Sequence, residues 1–337
     1  MRFTKTKLGV LFTSAAVIAA LTACSSDSSS STDIPEQWDP ETPESSSSIA
    51  TEDSSAEPGG LSSSRIIESS SEVETPHSSS SAEQIASSSS EATASSESAS
   101  PYLWNDEFEG STINTDKWTF EIGTGESGWG NNEWEYYTDR SENAYIKDGV
   151  LHIRANKENY KGASYTSARM ITKGKFSFTY GTVEARIALP TGKGIWPAFW
   201  MLGENIDQVS WPACGEIDII EAVNSENIVY GTNHWQYEGS HAEYGNSTND
   251  FHGAKKELDI TQFHTYKFTW DEQLIVMYVD DFKYHEISIE DNADDTNAFH
   301  KPFFFLLNVA VAGNWPGFEV DDAQFPNEML VDYIRVY

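Results

Sequence analysis

Cysteine and basic residues are what this chain has least of. Only two cysteines occur in 337 residues, Cys24 and Cys214. With Cys214 alone beyond the first hundred residues, no disulfide can form inside a C-terminal domain. A small buried thiol is expected there, because no histidine partner that would make it a nucleophile is identifiable. Lysine and arginine total 21 against 53 acidic residues, for a net charge of −32. That balance excludes nucleic acid as a partner, since phosphate binding relies on basic side chains, and an acidic surface repels sulfated or uronic polysaccharides. Long amphipathic helical patterns are missing as well. So are the G-x-S-x-G elbow, H-E-x-x-H, the phosphate-binding P-loop and the Rossmann glycine pattern, which removes the sequence anchors of serine hydrolases, zincins and nucleotide-binding enzymes.

What is present falls into three parts. Arg2, Lys5 and Lys7 precede an apolar stretch from Leu8 to Leu21, shorter than the ~20 residues of a membrane span and placed where a secretory signal sits. Leu21-Thr22-Ala23-Cys24 resembles a bacterial lipobox, so residues 1–23 read as a lipoprotein signal peptide and Cys24 as the lipidated residue. Ser25, where aspartate would signal inner-membrane retention, points to the outer membrane. The expected product is secreted and lipid-anchored to the bacterial cell envelope, touching the membrane only through that anchor. Residues 24–100 are serine clusters broken by Glu, Asp, Pro and Ala, too poor in apolar residues to offset the entropy of ordering. They read as a disordered acidic tether with a span on the order of 50 Å. A passive spacer and a glycosylated stalk fit it equally. The signal carries +3 and the tether −14, which leaves −21 for residues 101–337.

That last part is long enough for one β-sandwich with a large core. Tyr266, Phe268 and Trp270 alternate with Thr265, Lys267 and Thr269, and Leu274 to Val279 runs apolar up to a turn at Asp280-Asp281. Asp148-Gly149 between Asn143–Ile146 and Val150–Ile153 marks a hairpin. Many strands separated by turn signals predict an all-β, antiparallel sandwich.

Gly215-Glu216-Ile217-Asp218-Ile219-Ile220-Glu221 threads three carboxylates through isoleucines. In a regular strand Glu216 and Asp218 share one face while Glu221 falls on the apolar one, burying a charge. One extra residue at a β-bulge returns Glu221 to the face of the other two. Carboxyl groups flanking an acetal carbon can divide the work of glycoside cleavage. One attacks, another, kept protonated, donates to the leaving oxygen, and a third holds the nucleophile and raises the proton affinity of its neighbour. A solvated acidic strand or helix is the commoner use of such a stretch, so the surroundings have to decide.

Those surroundings are Gly130-Asn131-Asn132-Glu133, Thr166-Ser167-Ala168-Arg169, Tyr180 to Arg186, Gly194-Ile195-Trp196-Pro197-Ala198-Phe199-Trp200-Met201-Leu202, Trp211-Pro212, Leu307 to Gly317 and Val331 to Tyr337. Together they resemble glycoside hydrolase family 16, and within it the bacterial laminarinase-like endo-β-1,3-glucanases, over nearly everything from Tyr102 onward. The resemblance implies a concanavalin A-like jelly roll whose concave sheet forms an open cleft. It also implies that Trp196, Trp200 and Trp211 line that cleft, and that Asn132 and Arg169 bind sugar hydroxyls. Of the eleven tryptophans, Trp104, Trp118 and Trp270 read as core. A structural calcium ion is implied at Glu107, the Gly149 carbonyl and Asp332, with oxygen ligands suited to that hard ion; ordinary turn and strand-end chemistry is the alternative there. No cofactor is expected for catalysis.

Two departures bear on specificity. Trp134-Glu135 stands where many laminarinases have Leu-Gln, and His234-Trp235 where His-Gly is frequent. His234 and Trp235 are candidates for hydrogen bonding and stacking at one end of the cleft; a histidine satisfied within the sheet fits equally. The expectation from the whole is a monomeric, retaining endo-β-1,3-glucanase acting on neutral β-glucan. Glu216 is nucleophile, Glu221 acid/base and Asp218 the assisting carboxylate. The alternatives are a mixed-linkage β-1,3-1,4-glucanase, another family 16 activity, or a non-catalytic lectin-like module.

Overall fold

The period-two alternation of the C-terminal region folds into strands, as side chains that alternate faces require. The computed structural model describes residues 101–290 and 295–337; the signal segment, the tether and Cys24 lie outside the described residues. In chain order the strands begin with Trp104–Asp106 (β1), Thr119–Glu121 (β2), Glu135–Tyr137 (β3), Ala144–Lys147 (β4), Val150–Tyr160 (β5) and Ala163–Ser167 (β6). Next come Arg169–Ile171 (β7), Gly181–Ala188 (β8), Ile195–Gly203 (β9), Glu216–Glu221 (β10), Tyr230–Tyr237 (β11) and Ser240–Ser247 (β12). The last are His264–Trp270 (β13), Leu274–Val279 (β14), Phe282–Ser288 (β15), Phe303–Val311 (β16) and Asn327–Val336 (β17).

They form two sheets. One runs β15-β14-β13-β8-β17-β5-β6-β3, with β1 on β17 and β4 on β5; the other runs β12-β11-β10-β9-β16-β7-β2. Pairings are antiparallel except for β3 with β6, which is parallel. This is the all-β sandwich expected from the sequence.

The predicted alternation holds in β13, where Tyr266, Phe268 and Trp270 are all buried, and they join one core with Ile217, Ile219, Phe199 and Phe305 of the opposite sheet. Trp118 is buried in that core and Trp104 packs against it. Asp148 and Gly149 form the hairpin turn with φ of 54° and 77°, positive at both positions as a two-residue type I′ loop demands. β16 is buried along its whole length, and β10 lies inside the seven-stranded sheet between β9 and β11. A strand in that position has both edges paired, so its backbone is a rigid base for side chains.

Candidate active site

The bulge predicted in β10 is present. Against β9, Asp218 stands opposite Trp200 and Ile220 opposite Phe199, which leaves Ile219 as the extra residue. Against β11, Asp218 faces Thr232 and Glu221 faces Tyr230, so two isoleucines oppose Gly231 alone. Ile217, Ile219 and Ile220 are all in the core, and the three acids share the other face. Two glycines make room for this. Gly215, at φ 81°, leads into the strand where a Cβ would come within 2.8 Å of the Phe303 ring. A Cβ on Gly231 would stand 2.9 Å from Tyr284.

Each outer acid receives an indole N–H. Trp211 Nε1 donates to Glu216 at 3.0 Å, and Trp196 Nε1 donates to Glu221 at 2.9 Å. His234 points its Nε2 between the other pair, 3.2 Å from Asp218 Oδ2 and 3.9 Å from Glu216 Oε1. Asp218 Oδ2 nevertheless has no hydrogen-bond partner among the described residues.

Burial pushes Glu216 up to about 8, with the Asp218 charge adding to the shift and His234 opposing it. Burial, again reinforced by Asp218, pushes Glu221 up to about 8. Burial alone holds Asp218 well above the ordinary carboxylate range. Three carboxyls this close titrate as a set, and the first charge goes to the acid best able to carry it. Asp218 is the most buried of the three and its Oδ2 has no donor, which makes it the least favourable place for a charge. Glu216 has an indole donor and the nearer imidazole to support a negative charge, as a nucleophile needs, and Glu221, raised by burial, suits the role of proton donor to a leaving group.

The same face continues into β16 and β7. Trp200 donates to Asn308 Oδ1 at 2.8 Å, Asn308 donates to the Tyr137 hydroxyl at 3.1 Å, and that hydroxyl donates to Glu133 at 3.0 Å. Arg169 is nearly buried, pairs with Glu121 at 2.5 Å, and stacks its guanidinium 4.7 Å from Trp129 and 4.8 Å from Trp200. Asn132 is exposed and donates to Asn314 Oδ1 at 2.9 Å. The segment holding Asn314 also brings Trp315 against Trp196, ring centroids 5.5 Å apart and perpendicular, and against Tyr230, whose ring is 5.1 Å from that of Trp315. Sequence reasoning gave no role to Trp315, Tyr230, Asn308 or His241. Asn308 and Trp315 fall within the segment Leu307 to Gly317, whereas Tyr230 carries no local signal.

One expected site residue is misplaced. Trp235 alternates with His234 and therefore turns to the opposite face, where it is 8% exposed and its ring meets Phe299 at 5.9 Å. It is a core residue and not a sugar platform. His234 is on the acid face, beside Asp218 and hydrogen-bonded to His241 of the same hairpin. Cys214 is fully buried, and burial pushes its thiol up to about 11, as expected of an inert thiol.

The residues proposed for calcium are neighbours through the backbone. β5 pairs with β17 up to Val331 and β1 pairs with it from Ile334. Glu107, just after β1, and Gly149, just before β5, therefore flank Asp332 and Tyr333. Their carboxylates, however, are held by arginines: Glu107 takes two bonds from Arg335, at 2.9 and 2.8 Å, and is pulled below the usual range by that pairing. Asp332 Oδ2 accepts from Arg186 at 2.6 Å. An ion here fits only if main-chain carbonyls supply most of its ligands.

Residues 131–335 match the family described as glycosyl hydrolases family 16. The chain is 41% identical over 245 residues to the clotting factor G alpha subunit of Tachypleus tridentatus, covering 72% of this chain and 35% of that protein. It is 40% identical over 248 residues to a beta-glucanase of Rhodothermus marinus, covering 70% and 84%. The chain thus spans about a third of the first relative and most of the second. Among solved structures, the catalytic domain of an endo-1,3-beta-glucanase (laminarinase) from Thermotoga petrophila RKU-1 is 44% identical with a TM-score of 0.61, over 70% of this chain and 96% of that one.

Proposed function

The chain belongs to glycosyl hydrolase family 16, and on that premise we propose that it cleaves internal β-1,3 bonds of laminarin-type glucan with retention of configuration. The observation that carries this is the bulge in β10, which aligns Glu216, Asp218 and Glu221 on one face with an indole N–H on each outer acid. Glu216 attacks the anomeric carbon and Glu221 gives its proton to the departing oxygen. Water then enters from the side of Glu221, which takes the proton back. Retention requires about 5–5.5 Å between the two carboxyl groups, a separation consistent with two acids from one bulged strand. Asp218, beside Glu216 on the same strand face, is the assisting carboxyl and forms no bond to the sugar.

Trp211, 46% exposed, and the Trp196–Trp315 pair flank the acids and offer flat apolar faces to the C–H sides of glucose rings. A β-1,3-glucan is an open helix, and platforms at differing angles suit it better than they suit the flat ribbon of cellulose. Digestion of laminarin, mixed-linkage β-glucan, cellulose, xylan and agarose with product analysis tests the reading. Laminarin is cut fastest, mixed-linkage glucan at or beside its β-1,3 bonds, and the rest remain intact. Release of oligosaccharides from agarose but none from laminarin overturns the substrate. Structural calcium beside Glu107, Gly149 and Asp332, the lipid anchor at Cys24, the outer-membrane location and a monomeric state complete the proposal.

A further inference from the structure

The hairpin of β11 and β12 carries a cluster of which the hydrolytic reading uses only His234. Glu243 is paired directly across from His234, and His241 stands diagonally from it, opposite Gln236. All three side chains meet at the rim of the acid face. His234 Nδ1 lies 2.9 Å from His241 Nε2 and 3.6 Å from Glu243 Oε2, and His241 Nε2 lies 4.0 Å from the same oxygen. Four-coordinate zinc holds imidazole nitrogen and carboxylate oxygen at about 2.0–2.2 Å, which puts adjacent ligand atoms about 3.3–3.5 Å apart. The three observed separations bracket that value, so small side-chain rotations bring all three donors onto one ion.

We propose that His234, His241 and Glu243 bind a divalent first-row transition ion, zinc or a metal of similar ligand preference. Two imidazoles and one carboxylate suit such an ion and not calcium or magnesium, which take oxygen ligands. The donors sit on paired strands joined by a tight turn, a rigid base for a metal site. His234 would bind through Nδ1, leaving its Nε2 turned toward Asp218 at 3.2 Å. With the ion on His234 Nδ1 and His241 Nε2, each neutral ring carries its single proton on its other nitrogen, so the hydrogen bond between the rings is replaced by two metal–nitrogen bonds. A fourth position is left to water. His241 also packs 4.7 Å from Trp211, so the ion would stand at the sugar-binding end that Trp211 marks. Resting on the hydrolytic reading above, occupancy should hold His234 away from substrate and raise KM reversibly.

The test uses the full chain, stripped with chelator and returned to calcium. Cobalt(II) is the probe, because a tetrahedral site gives intense visible absorption bands, and zinc is then added to displace it. One bound cobalt per chain, with bands lost on zinc addition, is expected. Glu243→Gln should weaken binding at least about tenfold and His241→Gln should abolish it, both variants retaining the parent circular dichroism. Glu243→Gln without metal should turn over laminarin as the parent does. Binding that survives both substitutions but disappears in Glu216→Gln would place the ion on the acids and overturn the site, as would calcium competing with cobalt. Zinc that binds yet leaves KM unchanged overturns the regulatory consequence alone, and inactivity of the metal-free parent on every glucan overturns the hydrolytic reading without touching the site.

Discussion

The Tyr284 hydroxyl donates a hydrogen bond to the carbonyl of Ile219, the residue that β10 carries in excess of β9. A bulge frees a main-chain group from the ladder, and a buried carbonyl without a donor costs about 1–3 kcal/mol. Tyr284 comes from β15 in the other sheet, reaches across the core, and lies against Gly231 opposite the bulge. The acid arrangement is thus supported from behind by a residue that never meets substrate.

Tyr284→Phe keeps the ring and removes that donor. We expect it to destabilise the domain by about 1–3 kcal/mol in a denaturant titration. Its kcat should fall more than its KM rises, because the bulge sets the spacing of the acids and not the binding platforms. Parental stability would show that another donor serves Ile219.

Glu216→Gln and Glu221→Gln should each remove nearly all turnover on laminarin, while Asp218→Asn leaves measurable activity, since the first two make or break bonds and the third tunes them. Azide should restore turnover to Glu216→Ala by replacing the nucleophile from the opposite ring face. A Glu221 variant with near-parental rates on unactivated glucan would be incompatible with its role as acid.

The pH profile should respond to Trp196. Glu221 must be protonated to act as acid, and with its carboxyl raised to about 8 activity falls as pH climbs through that value. The Trp196 N–H bond favours the charged form and so lowers this value. Trp196→Phe removes it, and the alkaline limb of kcat/KM should move to higher pH. A limb that moves down, or stays, would mean that Glu221 does not govern it.

Trp211 does two things that substitution can separate. Trp211→Ala should lower turnover on polymer about tenfold, the equivalent of losing ~1–2 kcal/mol of stacking together with the bond to Glu216. Trp211→Phe keeps an aromatic face but no N–H, and should recover KM more than kcat. Equal recovery of both would argue against the Trp211–Glu216 bond as a catalytic contribution.

Chelation tests the ion proposed between β1 and β5. A ligand bound only by the folded state stabilises it by about 2.7 kcal/mol at a hundredfold excess over its dissociation constant. Removing calcium should therefore lower the melting temperature while initial rates at low temperature stay nearly constant, because Glu107 and Asp332 are not on the acid face. A melting curve indifferent to thorough chelation would leave the arginine pairs as the whole account of those carboxylates.

Local rules carried a good part of this protein. Period-two alternation is a property of the backbone, so the burial of Tyr266, Phe268 and Trp270 and the hairpin at Asp148-Gly149 could be read directly. The bulge in β10 followed from the same rule, because without it Glu221 would have entered a core of isoleucines. Tertiary structure alone decided who meets whom across long separations. The alternation that puts His234 on the acid face also sends Trp235 inward, but its direction is fixed only by the pairing of β11 with β10. Trp196 and Tyr230 meet Trp315 from separate strands, Arg335 and Arg186 take the carboxylates of Glu107 and Asp332, and Tyr284 crosses the core to Ile219. Such contacts depend on strand order and on the packing of one sheet against the other, and neither is written in any single window of the chain.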